Sequence, residues 1–337
     1  MKLAWRTQTL RPRHRFATSQ GGVSEKDTLV VELEHAGVTG RGEVAASRLY
    51  GQSNESSIKA LEQMRPLLGD DPFAIESVVG RIIAAHDGQR AAIGAVDNAL
   101  HDWAAQKLGV PVWRLLGLDP PRVSTTFTIG VADEAETREK VREALASGFD
   151  RLKVKVGVET DEGTLGAIRA VFDGPLFLDA NQAWRPGQAE ERIRALARFR
   201  PTIIEEPLHP EDWRHMGELR KLGVAPVFAD ESCQRPADVV RLRDAVDGVN
   251  IKFTKCGGIR EALRMVHLAR GFGLKIMLGC FVSSGLAIAP ALAIASLVDF
   301  VDLDGHLLLA EDPFPGIGRS GSTIWLDDTP GCGVRAK

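Results

Sequence analysis

Two hydrophobic rhythms divide the chain. Over roughly the first 50 residues apolar and polar positions alternate, the mark of half-buried strands. Leu29, Val31 and Leu33 alternate through Thr28–Glu34 up to the turn-prone His35-Ala36-Gly37, and a second strand is predicted over Gly40–Val44. Helical spacing follows at Ile58–Leu68, Ile75–Ala85 and the Ala-rich Ala91–Leu108, the last stopped by Gly109 with Pro111 just beyond. Residues 1–117 are therefore expected to form an α+β domain.

From Val123 onward short apolar runs alternate with helical stretches. The runs are Ser124–Ile129, Leu152–Val156, Leu176–Leu178, Thr202–Ile204, Val227–Ala229, Gly248–Ile251, Lys275–Leu278 and Asp299–Val301. Between them lie Glu134–Ser147, Thr160–Phe172, Gln188–Phe199, Trp213–Leu222, Ala237–Ala245, Ile259–Gly271 and Gly285–Ser296. Repeated βα units imply a parallel sheet with helices outside. Eight strands in about 180 residues suggest closure into a modified (β/α)7β barrel of the TIM type, over residues 118–314. An open doubly wound sheet is the rival, but the Gly-rich phosphate turn it usually carries follows neither Ile129 nor Val156. The Gly- and Pro-rich tail, 315–337, is expected to leave the barrel and pack back on the N-terminal segment. The predicted fold class is thus α/β, a barrel with an N-terminal α+β domain.

Composition narrows the function without naming it. The length of 337 residues fits one barrel-sized domain plus a smaller one. A net charge of −3, from 42 Lys plus Arg against 45 Asp plus Glu, lacks the footprint of a nucleic-acid binder. Residues 1–16 are basic but have no apolar core, so no secretory signal is expected. The longest apolar stretch, Gly285–Val298, is too short to span a bilayer. Cys233, Cys256, Cys280 and Cys332 form no Cys-x-x-Cys pair, which argues against thiolate zinc and against a disulfide framework. A reducing cytoplasm is the expected compartment. A homo-oligomer is left open.

Chemistry gathers at the strand ends, where barrels of this kind carry it. Lys153 and Lys155 end the second run, Asp179 and Asn181 the third, Glu205-Glu206 the fourth and Asp230-Glu231 the fifth; Asn250 and Lys252 lie on the sixth, and Asp302 and Asp304 follow the eighth. The steps 155→179→205→230→252 are 24, 26, 25 and 22 residues, one βα unit each, which sets the residues around one face. Asp179, Glu205 and Asp230 on consecutive strands repel one another and need a cation. All-oxygen ligands point to Mg²⁺, with Mn²⁺ as the alternative. Asn181 shares the face of Asp179 and can hydrogen-bond a ligand, while Glu206 and Glu231 alternate away, toward supporting or ion-paired roles. Lys153 and Lys155 point the same way, and neighbouring ammonium groups beside a dication lower a lysine's pKa toward general-base use. Lys252, four strands from Lys155, faces it across the barrel. Opposed lysines and a metal suit removal of a proton from one face of a carbon α to a carboxylate and its return to the other. Asp302 and Asp304 suit a cationic group such as a substrate ammonium, unless they only form the turn before Gly305.

These residues bring the chain to a known pattern. It resembles the enolase superfamily, muconate-lactonizing-enzyme subgroup, and within it the dipeptide epimerases of the L-Ala-D/L-Glu epimerase kind. The likeness runs nearly end to end, through GRGE (Gly40–Glu43), LKVKVG, LDANQAW, IIEEP, ADES, VNIKFTKCGGI, LGCFVSS and DLDG. It implies Lys155 and Lys252 as the acid/base pair with Lys153 in support, Asp179, Glu205 and Asp230 as Mg²⁺ ligands, and Asp302 and Asp304 on a dipeptide's ammonium. The N-terminal domain would be a capping domain that reads the side chain. One departure matters. Glutamate-specific members resemble Arg-Gly-x-Arg before a Ser-Glu in the first capping loop; here Gln20-Gly21-Gly22-Val23 precedes Ser24-Glu25. Val23 cannot pair with a carboxylate, although Arg48 in the second loop could compensate, so a dipeptide with an apolar or neutral second residue is expected. The alternatives are an N-acyl amino-acid racemase, an o-succinylbenzoate synthase-like lyase, or, from another class, a non-catalytic metal-dependent binding or scaffold barrel.

Overall fold

The structure is a computed structural model that describes residues 1–14, 16–18, 21–157 and 161–337, with the backbone alone at 16–18 and 21–23. Alternation at the N-terminus produces an antiparallel meander. β1 (Lys2–Leu10) pairs with β4 (Lys26–His35), which pairs with β5 (Val38–Val44); a small hairpin, β2 (Phe16–Thr18) and β3 (Gly21–Val23), lies between the first two in sequence. Leu29, Val31 and Leu33 enter a core formed with α1 (Asn54–Met64), α2 (Ile75–His86) and α3 (Arg90–Leu108). The opposite face of β4 turns to the barrel, where Val30 packs on Leu286 and Phe314.

The Ala-rich composition of α3 has a cause: sixteen of its nineteen residues are buried. One side of the helix presses so closely on β5 that a Cβ added at Gly42 would fall on the Ala95 carbonyl. The other side meets the short Phe253–Cys256 helix, where Arg90 donates to the Cys256 carbonyl at 3.0 Å, and the Ile259–Gly271 helix, where Asp97 accepts the Arg260 N–H at 3.2 Å. Gly109 ends α3 in the left-handed conformation, as its position predicted.

The predicted βα repeats form a parallel sheet of eight strands: β7 (Phe127–Ile129), β8 (Leu152–Lys155), β9 (Leu176–Asp179), β10 (Ile203–Glu205), β11 (Val227–Ala229), β12 (Gly248–Ile251), β13 (Lys275–Gly279) and β14 (Phe300–Asp302), in sequence order. The run Ser124–Ile129 is in fact two strands. β6 (Arg122–Ser124) leaves the barrel to pair with the tail hairpin, β15 (Gly318–Ser320) and β16 (Thr323–Trp325). The rest of the tail reaches α3, where Asp102 accepts the Cys332 N–H at 2.8 Å.

The sheet curls into a nearly closed barrel, and its seam between β7 and β14 has no ladder. It is stitched by Thr126 N–H to the Val301 carbonyl (3.1 Å), Leu303 N–H to Thr125 Oγ1 (2.8 Å), Thr126 Oγ1 to Asp302 (2.5 Å) and Thr128 N–H to Asp304 (2.7 Å). Strand periodicity layers the interior. Phe177, Ile203, Phe228 and Met277, with Phe300, form an apolar floor, and two residues further along each strand the inward positions become Asp179, Glu205, Asp230, Gly279 and Asp302.

The contact of α3 with β5 yields a prediction. Gly42→Ala should destabilise the protein by about 3 kcal/mol, since backbone must move to admit the methyl group. A thermal midpoint lowered by several degrees is the expected reading; an unchanged midpoint would show that the helix can lift off the sheet freely.

Candidate functional site

The polar layer stands at the C-terminal ends of the barrel strands because each strand delivers its last inward residue there. Register places Lys155 beside Asp179, and Asp179 beside Glu205. Tight reversals follow β9 and β10: Asn181 and Gln182 in the first and Glu206 in the second have φ of 44°, 67° and 36°. Such φ values are uncommon for non-glycine residues and cluster at functional sites.

Carboxylate oxygens of Asp179, Glu205 and Asp230 lie within 4.8 Å of one another, all buried. Lys153 is the centre of the array. Its Nζ is 3.0 Å from Asp179, 2.8 Å from Glu205 and 2.8 Å from Asp302. Lys155 reaches Asp179 at 2.6 Å, and on the facing wall Lys252 reaches Asp230 at 2.6 Å. Lys255 holds the other Asp230 oxygen at 2.6 Å and the Asn250 carbonyl at 3.0 Å. Asn250 donates to Glu205 at 2.7 Å, and Asn181 donates to Glu231 at 3.1 Å. Glu206 enters no ion pair among the described residues. It accepts the backbone N–H groups of Asp230 (2.6 Å) and Ser232 (3.2 Å), and so fixes the turn that presents Asp230.

Burial and charge compete across this array. Burial opposes ionisation of Asp179 and Asp230, but Lys153 and Lys155 on the first, and Lys252 and Lys255 on the second, hold both below the usual carboxylate range. Burial and then Asp179 push Glu205 up to about 8. Lys153 and Lys252 are raised, since their carboxylate neighbours outweigh desolvation. The lowering expected from sequence concerned lysines beside a dication; carboxylates by themselves act in the opposite direction.

Asp302 and Asp304 differ. Asp302 is paired with Lys153 and held low despite its burial. Among the described residues Asp304 pairs with no cation; burial and then Asp302 raise it to about 7.

Above the array lies a cavity of about 550 Å³. Its walls include Lys153, Lys155, Asn181, Asp230, Lys252, Asp302 and Asp304 from the barrel. The N-terminal domain contributes Lys26, Arg48 and Tyr50. The residues singled out from sequence are thus brought together, with Asp179 and Glu205 just beneath; Val23 lies where only the backbone is described, so its side chain is outside the described residues. Lys26 and Tyr50 line the cavity without any motif to announce them, although Tyr50 is the chain's single tyrosine; Phe281, also on the wall, lies within the LGCFVSS block, which by itself assigns it no role. Phe281 joins the two domains there. Tyr50 meets its ring edge-on at 6.2 Å, and Lys252 lies 5.0 Å from its centre.

Three comparisons bear on this arrangement. Residues 3–117 match the family described as "Mandelate racemase / muconate lactonizing enzyme, N-terminal domain", and residues 136–337 match "Enolase C-terminal domain-like". The chain is 38% identical over 336 residues to an L-Ala-D/L-Glu epimerase of Bacteroides thetaiotaomicron, covering 99% of this chain and 88% of that protein. It is 35% identical over 342 residues to a hydrophobic dipeptide epimerase of Roseobacter litoralis, covering 99% and 98%. A dipeptide epimerase of Enterococcus faecalis, solved with Mg and the dipeptide L-Leu-L-Tyr, superposes with a TM-score of 0.94 at 30% identity, covering 98% of each chain.

Asp304 gives this site a measurable stability signature. A carboxyl raised in the fold contributes no penalty below its unfolded pKa; the penalty grows as pH rises through about 7 and then levels off. Asp304→Asn should therefore leave stability at pH 4 nearly unchanged and raise it at pH 8 by on the order of a few kcal/mol. Thermal melts at the two pH values check this, and equal shifts at both would deny the buried charge.

Proposed function

Since the chain belongs to the mandelate racemase/muconate lactonizing enzyme group of the enolase superfamily, we propose that it is a Mg²⁺-dependent dipeptide epimerase acting at the α-carbon of the C-terminal residue. One observation carries the reading: lysines of β8 and β12 stand on facing walls of one cavity, with three carboxylates of the intervening strands between them. A binding protein has no use for opposed bases.

The donor set fits a small hard cation, because all three groups are carboxylates whose oxygens already converge. We assign Asp179, Glu205 and Asp230 as its ligands, with Mn²⁺ able to substitute. When bound, the ion supplies the positive charge that a carboxylate deprotonated at its α-carbon requires. The protein's own groups do the rest. One of Lys155 and Lys252, as the amine, takes the α-proton; the other, as the ammonium, returns a proton to the opposite face, which inverts the centre. Lys153 supports this chemistry by keeping Asp179, Glu205 and Asp302 together. Asp304, left without a cation by the fold, takes the substrate's N-terminal ammonium together with Asp302, and Asn181 borders the carboxylate end.

Residues 1–117, together with the tail 315–337, act as the lid over barrel residues 118–314. Ala46, Leu49 and Tyr50 on its side of the cavity, with Val23 in place of an arginine in the sequence, favour an apolar or neutral second residue, and Arg48 on the same wall is a loop cation able to extend the range. Relatives of both kinds, acting on Ala-Glu and on hydrophobic dipeptides, stand near this chain. Every residue invoked comes from a single chain, so a second copy is not required. Among the described residues no helix is long and apolar enough to cross a membrane. The four unpaired cysteines suit the reducing cytoplasm where we place the reaction.

Incubation of L-Ala-L-Leu in D₂O should place deuterium at the C-terminal residue's α-carbon only when Mg²⁺ is present. Lys155→Ala and Lys252→Ala should each abolish epimerisation; wild-type turnover by either variant would end the two-base mechanism. Asp304→Asn should weaken dipeptides far more than N-acyl amino acids, and an equal loss for both would favour the N-acyl racemase instead.

A further inference from the structure

Lys26 is a charged group of the cavity wall with no part in the chemistry above. It opens β4, and strand alternation puts it on the barrel-facing side with Thr28 and Val30. Its Nζ donates to the Val282 carbonyl at 3.1 Å and lies 5.3 Å from the centre of the Phe281 ring, the same ring that carries Lys252. Among the described residues it makes no other hydrogen bond and no ion pair. An ammonium group has three N–H donors, so two remain at the wall of the cavity. Burial depresses the group to about 8, against the pull of Glu43 and Cys280. The side chain is half-buried, so a ligand that displaces water from this wall leaves those donors unsatisfied unless it supplies an acceptor.

Strand order says which acceptor arrives there. The proposed substrate places its carboxylate over β9–β11, its α-carbon between β8 and β12, and its ammonium at β14. The strand between the last two is β13, and its end, Cys280–Val282, runs beneath Lys26. The peptide bond joins the α-carbon to the ammonium-bearing residue and so must cross this point. In a dipeptide with a hydrocarbon side chain, the peptide carbonyl is the one acceptor besides the carboxylate.

We infer that Lys26 is a substrate-positioning residue that donates to the carbonyl oxygen of the peptide bond, and so makes the site selective for acylated amino acids over free ones. The inference rests on the dipeptide epimerase reading. It implies that the contribution of Lys26 is independent of the second residue's side chain.

The test is calorimetric binding to the Mg²⁺-loaded enzyme, with Lys26→Met, which keeps the stem and removes the donor. Affinity for L-Ala-L-Leu should fall roughly ten- to a hundredfold, the range for a hydrogen bond to a charged group. KM should rise in step while kcat holds within about threefold. L-Ala-L-Phe and L-Ala-L-Met should lose the same factor. The reduced isostere of L-Ala-L-Leu, with CH₂ in place of the carbonyl, should bind wild type and variant alike. Lys26→Gln, which restores an N–H donor, should recover part of the loss, and a matched thermal midpoint excludes a merely structural effect. Equal affinity of wild type and Lys26→Met for L-Ala-L-Leu would overturn the inference and leave the epimerase reading intact. So would a loss confined to particular second side chains, or an equal loss for the reduced isostere. Absence of dipeptide binding to wild type would remove both.

Discussion

The mouth of the barrel holds more negative charge than its own lysines can balance. Asp179, Glu205, Glu206, Asp230, Glu231, Asp302 and Asp304 face Lys153, Lys155, Lys252 and Lys255, an excess of three carboxyl groups. Sheet geometry makes this unavoidable. Neighbouring strands are about 4.8 Å apart, so inward carboxylates from successive strands cannot avoid one another. The protein spreads the cost over several devices. Lys153 bridges three acids, backbone N–H groups hold Glu206, and protonation is favoured at Glu205 and Asp304. A dication on Asp179, Glu205 and Asp230, as proposed, would complete the balance. The apolar floor of Phe177, Ile203, Phe228 and Met277 sharpens the demand by excluding water from below.

The lid is fastened to this frame by burial rather than by a hinge. Helix α3 is enclosed by the β-meander on one side and the barrel's Ile259–Gly271 helix on the other, with Arg90 and Asp97 spending their polar groups on barrel backbone. Position control therefore resides in α3, and the proposed substrate reading in the short segments projecting from the same sheet: the start of β4, with Lys26, and the loop after β5, with Arg48 and Tyr50.

Much of this was legible before any coordinates. Strand and helix periods locate all eight barrel strands, and the one-unit spacing of strand-end polar residues identifies the array, because an inward position repeats with the βα unit. Legibility fails where three-dimensional context decides. Nothing local divides Ser124–Ile129, since the division arises from pairing with a tail some two hundred residues away. Lys26 reads as an unremarkable strand-opening lysine, because its meaning depends on the end of β13 arriving beneath it. The different fates of Asp302 and Asp304 also escape a sequence reading; their identical chemistry is separated only by the reach of Lys153.

The unlaced joint between β7 and β14 carries one more implication. Elsewhere the cylinder is closed by main-chain ladders that tolerate almost any side chain. Here, beyond the single main-chain bond from Thr126 to Val301, closure is delegated to the side chains of Thr125, Thr126, Asp302 and Asp304, the last two also being the proposed grip on the substrate's amino end. Recognition of that end and integrity of the cylinder are consequently one trait under mutation. Drift or redesign that alters what the amino-end pocket accepts must re-solve barrel closure at the same step. The lid's wall of the cavity, proposed to read the side chain, carries no such burden and is the freer of the two to diversify.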